Sequence, residues 1–255
     1  MYYEINIFLI FILGLIVGSF SNVCIYRIPR NESIIYPASH CPKCRSNILP
    51  KDNIPLLSYI LLKGRCRHCK SKIPIQYPIV EFLTGLIYLI IYLIYGLSGQ
   101  FLIYIILSSA LIIIAFIDLN EQIVPDVISL PGTAIGFILS FFVPYISFIN
   151  SALGVIIGGG VILIIGIAGS AIFKKEAMGG GDVKLAAMIG AFLGWRYITI
   201  SLFLGFFLGA LTGIFLIMAK IKSREDAVPF GPFIVLGSFI TLLWGEKIIS
   251  WYLGF

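Results

Sequence analysis

The chain has 255 residues, 59 per cent of them apolar and only 12 per cent charged, with a mean hydropathy of +1.03. Ordinary globular domains run at about 45–50 per cent apolar and about 25 per cent charged, so this composition excludes disorder and a soluble domain of this size and leaves the polytopic membrane class. The formal net charge of +6 could serve nucleic acid or membrane topology, and its placement decides which.

A spanning helix needs roughly 20 apolar residues. The predicted spans are 7–25, 79–96, 101–118, 127–148, 152–173, 183–195, 198–219 and 228–245, eight in all. The first apolar run opens at Ile7 behind Glu4 with no basic residue ahead of it, and reads as a retained anchor rather than a cleaved signal. The sixth candidate, 13 residues long, reaches only about 20 Å, so it must be buried among neighbours or fail to cross fully. The fold class expected is all-α and polytopic: a first helix at 1–26, a cytoplasmic cysteine-bearing domain at 27–78, and a seven-helix membrane domain at 79–255.

The 27–78 segment carries ten basic residues against Glu32 and Asp52, a net charge of +8, which marks it as cytoplasmic. Alternation then brings Lys174, Lys175, Lys184, Lys220, Lys222 and Arg224 to the same side and leaves Arg196 and Lys247 opposite, a split of 16 to 2 with the N-terminus outside. Topology accounts for the basic excess, and no nucleic acid is implied. A +8 loop suits anionic lipid headgroups, so membrane lipids are an expected partner.

Within that loop, Cys41-Pro-Lys-Cys44 is followed by 21 residues and then Cys66-Arg-His-Cys69. Two such turns aim four thiolates at one tetrahedral ion, close to the zinc spacing of about 15–20 intervening residues. Cys41, Cys44, Cys66 and Cys69 are therefore the candidate metal ligands. With all four positions filled the ion is structural. A pair of redox dithiols is the competing reading, disfavoured in the cytoplasm. Cys24 reads as a buried inert thiol. The loop is too polar to fold without its metal.

Acids in or beside membrane spans are costly and face a cavity or a partner. Asp118 ends the run Ile112–Ile117, and Asp182 follows Gly179-Gly180-Gly181 at the start of the sixth span. Each alone could be a helix cap or a solvated loop acid. Both fall at cytoplasmic ends, and three glycines before an acid allow a closer approach than capping requires. Two carboxylates in one site share a proton, the state that suits peptide hydrolysis: one activates water, the other donates to the carbonyl oxygen.

These motifs resemble the type IV prepilin peptidases, the GxGD class of intramembrane aspartyl protease. The similar segments are Gly18-Ser-Phe-Ser-Asn22-Val-Cys-Ile-Tyr26-Arg27-Ile-Pro29, the paired Cys-x-x-Cys turns, Tyr77-Pro78-Ile-Val80-Glu81, Asp118 with Pro125-Asp126, Gly179-Gly-Gly181-Asp182-Val-Lys184, and Pro229-Phe230-Gly231-Pro232-Phe233. Gln76 departs from the basic residue expected before Tyr-Pro. The resemblance implies removal of a short basic leader from prepilins and pseudopilins of type IV pilus and type II secretion systems at the cytoplasmic face of the inner membrane. Asp118 and Asp182 would be the catalytic pair, with Gly179, Gly181, Lys184 and Asp126 as supporting motif residues. It also implies N-methylation of the new amine with S-adenosylmethionine.

Asp126 is read beside this as the N-cap of the fourth span, Lys184 as an interfacial anchor, and Glu81 as a candidate for substrate charge reading or methyl transfer. The alternatives are a peptidase without methyl transfer, a proton-coupled transporter relaying through the two aspartates, and a non-catalytic zinc-bearing scaffold.

Overall fold

The structure is a computed structural model that describes residues 2–142, 146–174, 178–221, 223 and 228–254. Lys175, Lys222 and Arg224, counted above in the charge split, lie outside them. The described residues form helices α1 (Tyr2–Arg27), α2 (Leu57–Leu61), α3 (Gln76–Tyr95), α4 (Gly99–Glu121), α5 (Asp126–Leu139), α6 (Phe148–Phe173), α7 (Gly180–Met218) and α8 (Gly231–Leu253), with short 3-10 turns at Ile28–Arg30 and Pro50–Asp52. The all-α membrane class holds. Six of the helices, rather than eight, are long and apolar enough to cross a membrane.

The difference has two sources. The run predicted at 127–148 is helical only to Leu139, giving a 14-residue α5. The two runs predicted at 183–195 and 198–219 are joined in the 39-residue α7, which turns at Gly194 (φ 77°, ψ 173°). That backbone conformation is one only glycine adopts freely. The first half of α7, from 180 to 193, is about 21 Å long and is the apolar core of its surroundings, with Leu185, Ala186, Met188, Ile189 and Ala191 fully buried. Beyond the turn, the Arg196 guanidinium lies over the Trp195 ring, 5.5 Å from its centroid.

The chain divides into two compact units, Met1–Ile113 and Ile114–Phe255, with the division inside α4. In the first unit, α1 and α3 cross at backbone distance. A Cβ added at Gly14 would lie 2.6 Å from the Gly85 Cα, and one at Gly18 would lie 2.7 Å from the Glu81 Cα. Such small-residue crossings replace the hydrophobic drive that lipid removes. The Asn22 side-chain amide donates to the Tyr77 carbonyl at 3.0 Å, and the Tyr88 and Ser109 hydroxyls meet at 2.7 Å. Buried Arg27 ends α1 by donating to the carbonyls of Ser33 and Pro37, both at 2.8 Å, so its charge is spread over backbone oxygens that would otherwise be orphaned.

In the second unit, α6 and α7 cross with Gly154 and Gly190 back to back, and the Ser151 hydroxyl donates across to the Ala191 carbonyl at 2.8 Å. Gly158 and Gly159 meet Ala186 and Ala187 on α7, whereas Gly160 faces open space. The helix α5 lies on the first half of α7, Gly132 against Met188 and Gly136 against Phe192 and Ala191. The helix α8 meets the second half of α7 through Gly237 and Ser201.

Candidate functional site

In the second unit, the end of α4 and the starts of α5 and α7 surround one cavity of about 420 Å³. The last turn of α4 brings Asp118, and the first turn of α7 brings Asp182; both carboxylates line the cavity. They are 5 and 9 per cent exposed. Asp118 Oδ2 is buried and has no hydrogen-bond partner among the described residues. A buried acceptor without a partner is costly and calls for a donor from a ligand or water.

Glycines bring backbone up to this pair. A Cβ on Gly231, the first residue of α8, would stand 2.6 Å from Asp118 Oδ2, and one on Gly181 would stand 2.8 Å from the Val124 Cβ. Gly179 is the N-cap of α7, and its carbonyl accepts the Asp182 N–H at 3.1 Å. The turn from α4 to α5 passes through Gln122 in the left-handed region (φ 55°), and the Gln122 N–H donates to the Asp118 carbonyl at 2.9 Å.

Asp126 and Lys184 stand at the exposed edge of the cavity. The cap position of α5 belongs to Pro125 and has no side-chain cap; Asp126 instead accepts from Lys184 Nζ through both carboxylate oxygens, at 2.7 and 2.8 Å. This corrects the cap expected at Asp126. A bidentate ion pair engages the Asp126 carboxylate in place of capping. The two are 58 positions apart, so no local pattern could signal it.

The cysteine loop belongs to the first unit. The Sγ atoms of Cys41, Cys44, Cys66 and Cys69 all lie within 4.8 Å of one another, with Cys41 and Cys69 at 3.8 Å and Cys44 and Cys66 at 4.0 Å. Zinc–sulfur bonds of about 2.3 Å in a tetrahedron require sulfur separations of about 3.8 Å, so the four thiols fit such an ion. The two halves are copies. In each, the N–H of the first cysteine donates to a serine carbonyl five residues on (Ser46, Ser71), and its carbonyl accepts from the left-handed residue between (Arg45, Lys70). The serine hydroxyls also approach sulfur, Ser46 to Cys44 at 2.8 Å and Ser71 to Cys69 at 3.1 Å. The Ser71 hydroxyl, then its N–H, lowers the Cys69 thiol to about 6, toward the thiolate a metal requires. The repeated Cys-x-x-Cys-basic-Ser string was the sequence signal for this symmetry.

Glu81, also in the first unit, is buried in α3 five residues past its start. Its carboxylate accepts the Leu56 N–H at 2.8 Å, and the Ser19 hydroxyl of α1 reaches it too. Nearby on α1, Asn22 Oδ1 is buried without a partner among the described residues. Asn22 stands in the Gly18–Pro29 motif, whose residue types do not signal an unmet acceptor.

Helices of membrane length and a buried pair of carboxylates at helix ends define a multi-pass membrane protein with an acid-pair site. Comparison with known proteins gives the family. Residues 12–95 match the Bacterial Peptidase A24 N-terminal domain, and residues 105–214 match the Type IV leader peptidase family. Curated relatives named prepilin leader peptidase/N-methyltransferase include one from Pseudomonas putida, 34 per cent identical over 94 per cent of this chain and 91 per cent of the relative. One from Aeromonas hydrophila is 34 per cent identical over 96 and 93 per cent. One from Myxococcus xanthus is 39 per cent identical over 82 and 63 per cent. No solved structure matches. The chain belongs to the type IV leader peptidase family, and it is an inner-membrane, multi-pass enzyme of the bifunctional peptidase and methyltransferase kind.

Proposed function

We propose that Asp118 and Asp182 together hydrolyse the peptide bond that joins a short basic leader to a prepilin or pseudopilin, at the cytoplasmic face of the inner membrane. The observation that carries this reading is the meeting of two buried carboxylates, from separate helices, in one cavity. In this reading the pair holds one proton between its carboxyls. The ionised member takes a proton from water as the water oxygen attacks the scissile carbonyl. The protonated member donates to the carbonyl oxygen, and the collapsing tetrahedral species passes its proton to the leaving amine. The unmet Asp118 Oδ2 fits the water or the carbonyl that the reaction requires. The acid pair acts as a unit, so no separate role is given to either member.

Gly179, Gly181 and Gly231 serve by letting backbone crowd the pair, and the Asp126–Lys184 pair holds the starts of α5 and α7 together. The +8 charge of residues 27–78, followed by two crossings in α3 and α4, supports a cytoplasmic site at the end of α4 with the N-terminus outside. The four thiols hold a structural zinc ion.

Methyl transfer to the freed amine is assigned to the first unit. S-adenosylmethionine, when bound, supplies the methyl group. The Glu81 carboxylate and the unmet Asn22 Oδ1 are acceptors, which fits a cationic donor or an ammonium group and would orient the amine.

The test is processing of a co-expressed prepilin by wild type, Asp118→Asn and Asp182→Asn, with membrane insertion checked in parallel. Both variants should insert and leave the precursor uncut. Normal processing by either inserted variant overturns the reading. A labelled methyl donor on pre-cleaved substrate separates the second activity from the first.

A further inference from the structure

Helix α2 presents an apolar ridge that the peptidase reading does not use. Leu57, Ile60 and Leu61 stand at i, i+3 and i+4, one face of a helix, and are 56, 69 and 76 per cent exposed. The opposite face is pinned by buried Ser58, whose hydroxyl accepts the Ile54 N–H at 2.9 Å and donates to the Lys51 carbonyl at 3.1 Å. The ridge is therefore held outward by a polar lock rather than left over from loose packing.

Its depth follows from Glu81. The helix α3 has 20 residues, about 30 Å, the hydrocarbon thickness of a bilayer. Glu81 lies five residues from its cytoplasmic start, about 7.5 Å in. The Leu56 N–H is bonded to that carboxylate, and Leu56 is the cap residue of α2, turned by a positive φ of 60°. The start of α2 is thus tied to α3 at the level of the headgroup–acyl boundary, where interfacial helices sit about 5–10 Å deep. Ile79 and Phe82, flanking Glu81 on α3, are 46 and 50 per cent exposed, as residues facing lipid are.

Charge completes the pattern. Lys63 and Arg65 follow the ridge and are exposed. Among residues 51–72 the one acid, Asp52, is taken by Arg67 at 2.6 and 2.7 Å, so no acid of this stretch offsets Lys63 and Arg65, and the Glu81 carboxylate lies at the opposite end of α2.

We infer that α2 is an interfacial anchor that dips Leu57, Ile60 and Leu61 into the acyl boundary of the anionic inner leaflet and so ties the cysteine loop to the membrane surface. The occupant of the ridge is lipid. Apolar residues at acyl depth flanked by cations match an anionic bilayer, and the cap of α2 is bonded to α3, which crosses that same bilayer. The inference rests on the membrane-spanning reading and is independent of the acid pair.

The full-length, metal-loaded protein is reconstituted in vesicles with about one third phosphatidylglycerol. A benzoyl-phenylalanine photoprobe replaces Leu61, and in a control chain Lys70. The Leu61 probe should give lipid adducts by mass spectrometry, and the Lys70 probe should not. Adducts to a second copy of the chain, to a co-reconstituted substrate helix, or to water alone overturn the proposal. Hydrogen exchange gives a second reading that needs no probe. Amides 57–62 should exchange about tenfold faster in the Ile60→Gln, Leu61→Gln double variant than in wild type, with residues 39–47 unchanged. Equal exchange in the two proteins also overturns it.

Discussion

The cysteine loop and the acid cavity solve one problem, bringing distant residues to a point, by opposite means. The loop does it with two copies of a six-residue turn and the ion between them, using almost no apolar core. The cavity does it with rigid helices whose close crossings, Gly154 on Gly190 and Gly136 on Phe192, fix where the ends fall. A metal-held site can be specified by spacing alone; a helix-held site is specified by packing far from the residues that meet. The first should fail through its ligand and the second through its geometry.

Metal removal separates them most sharply. Chelation should release one ion per chain and abolish protection of amides 39–72, since structural zinc supplies about 10–16 kcal/mol of folding free energy in comparable turns. The amides of α6 and α7 should be unaffected, as read by native mass spectrometry and hydrogen exchange. Loss of order in both regions would show that they are one cooperative unit.

Next in size, Asp118→Asn or Asp182→Asn should lower cleavage by about a hundred- to ten-thousandfold without lowering the melting temperature. The double variant should be little worse than either single one, because the pair acts as a unit. A wild-type rate that falls on both sides of an optimum pH is the matching signature of one shared proton.

Gly231→Ala sets a methyl group against Asp118 Oδ2 and should cost about a hundredfold in cleavage rate through displacement of that carboxylate, with membrane insertion intact. Steady-state kinetics on a leader peptide substrate decide this. An unchanged rate would show that α8 can give way.

The smallest effects belong to exposed pairs. Lys184→Gln should change stability by less than about 1 kcal/mol, because the ion pair is half in solvent, read as a shift of the thermal midpoint. In the loop, the Arg67 guanidinium beside Asp52 holds its carboxyl below the usual carboxylate range. A folded value below the unfolded one contributes stability that is present above about pH 4 and lost as pH falls through the folded value. Asp52→Asn should therefore lose stability relative to wild type at neutral pH and converge with it in acid, measured with the metal in place.

The same contrast sets how much was readable in the sequence. Cys41, Cys44, Cys66 and Cys69 were legible because a metal constrains local spacing. The meeting of Asp118 and Asp182 was carried by the resemblance and by the common end assigned to both, since 64 positions of intervening chain encode their approach only through helix packing. Gly231 stands in the Pro229–Phe233 motif, but its place against Asp118 depends on how α8 enters, which hydropathy does not reveal. The stop of α5 at Leu139 was hidden by continued apolar chain through Phe141 and Phe142, and the union of two spans in α7 by the ambiguity of Gly194, which reads equally as a loop or a bend.

That bend has a consequence for adaptation to different bilayers. The register of Asp182 is set by Gly190 and Ala191 on the near side of Gly194, while the far side of α7 adds 24 further residues from Trp195 to Met218. Thickening or thinning of the lipid can be taken up by tilt of that outer segment about a single glycine, and the carboxylate need not rotate away from its partner.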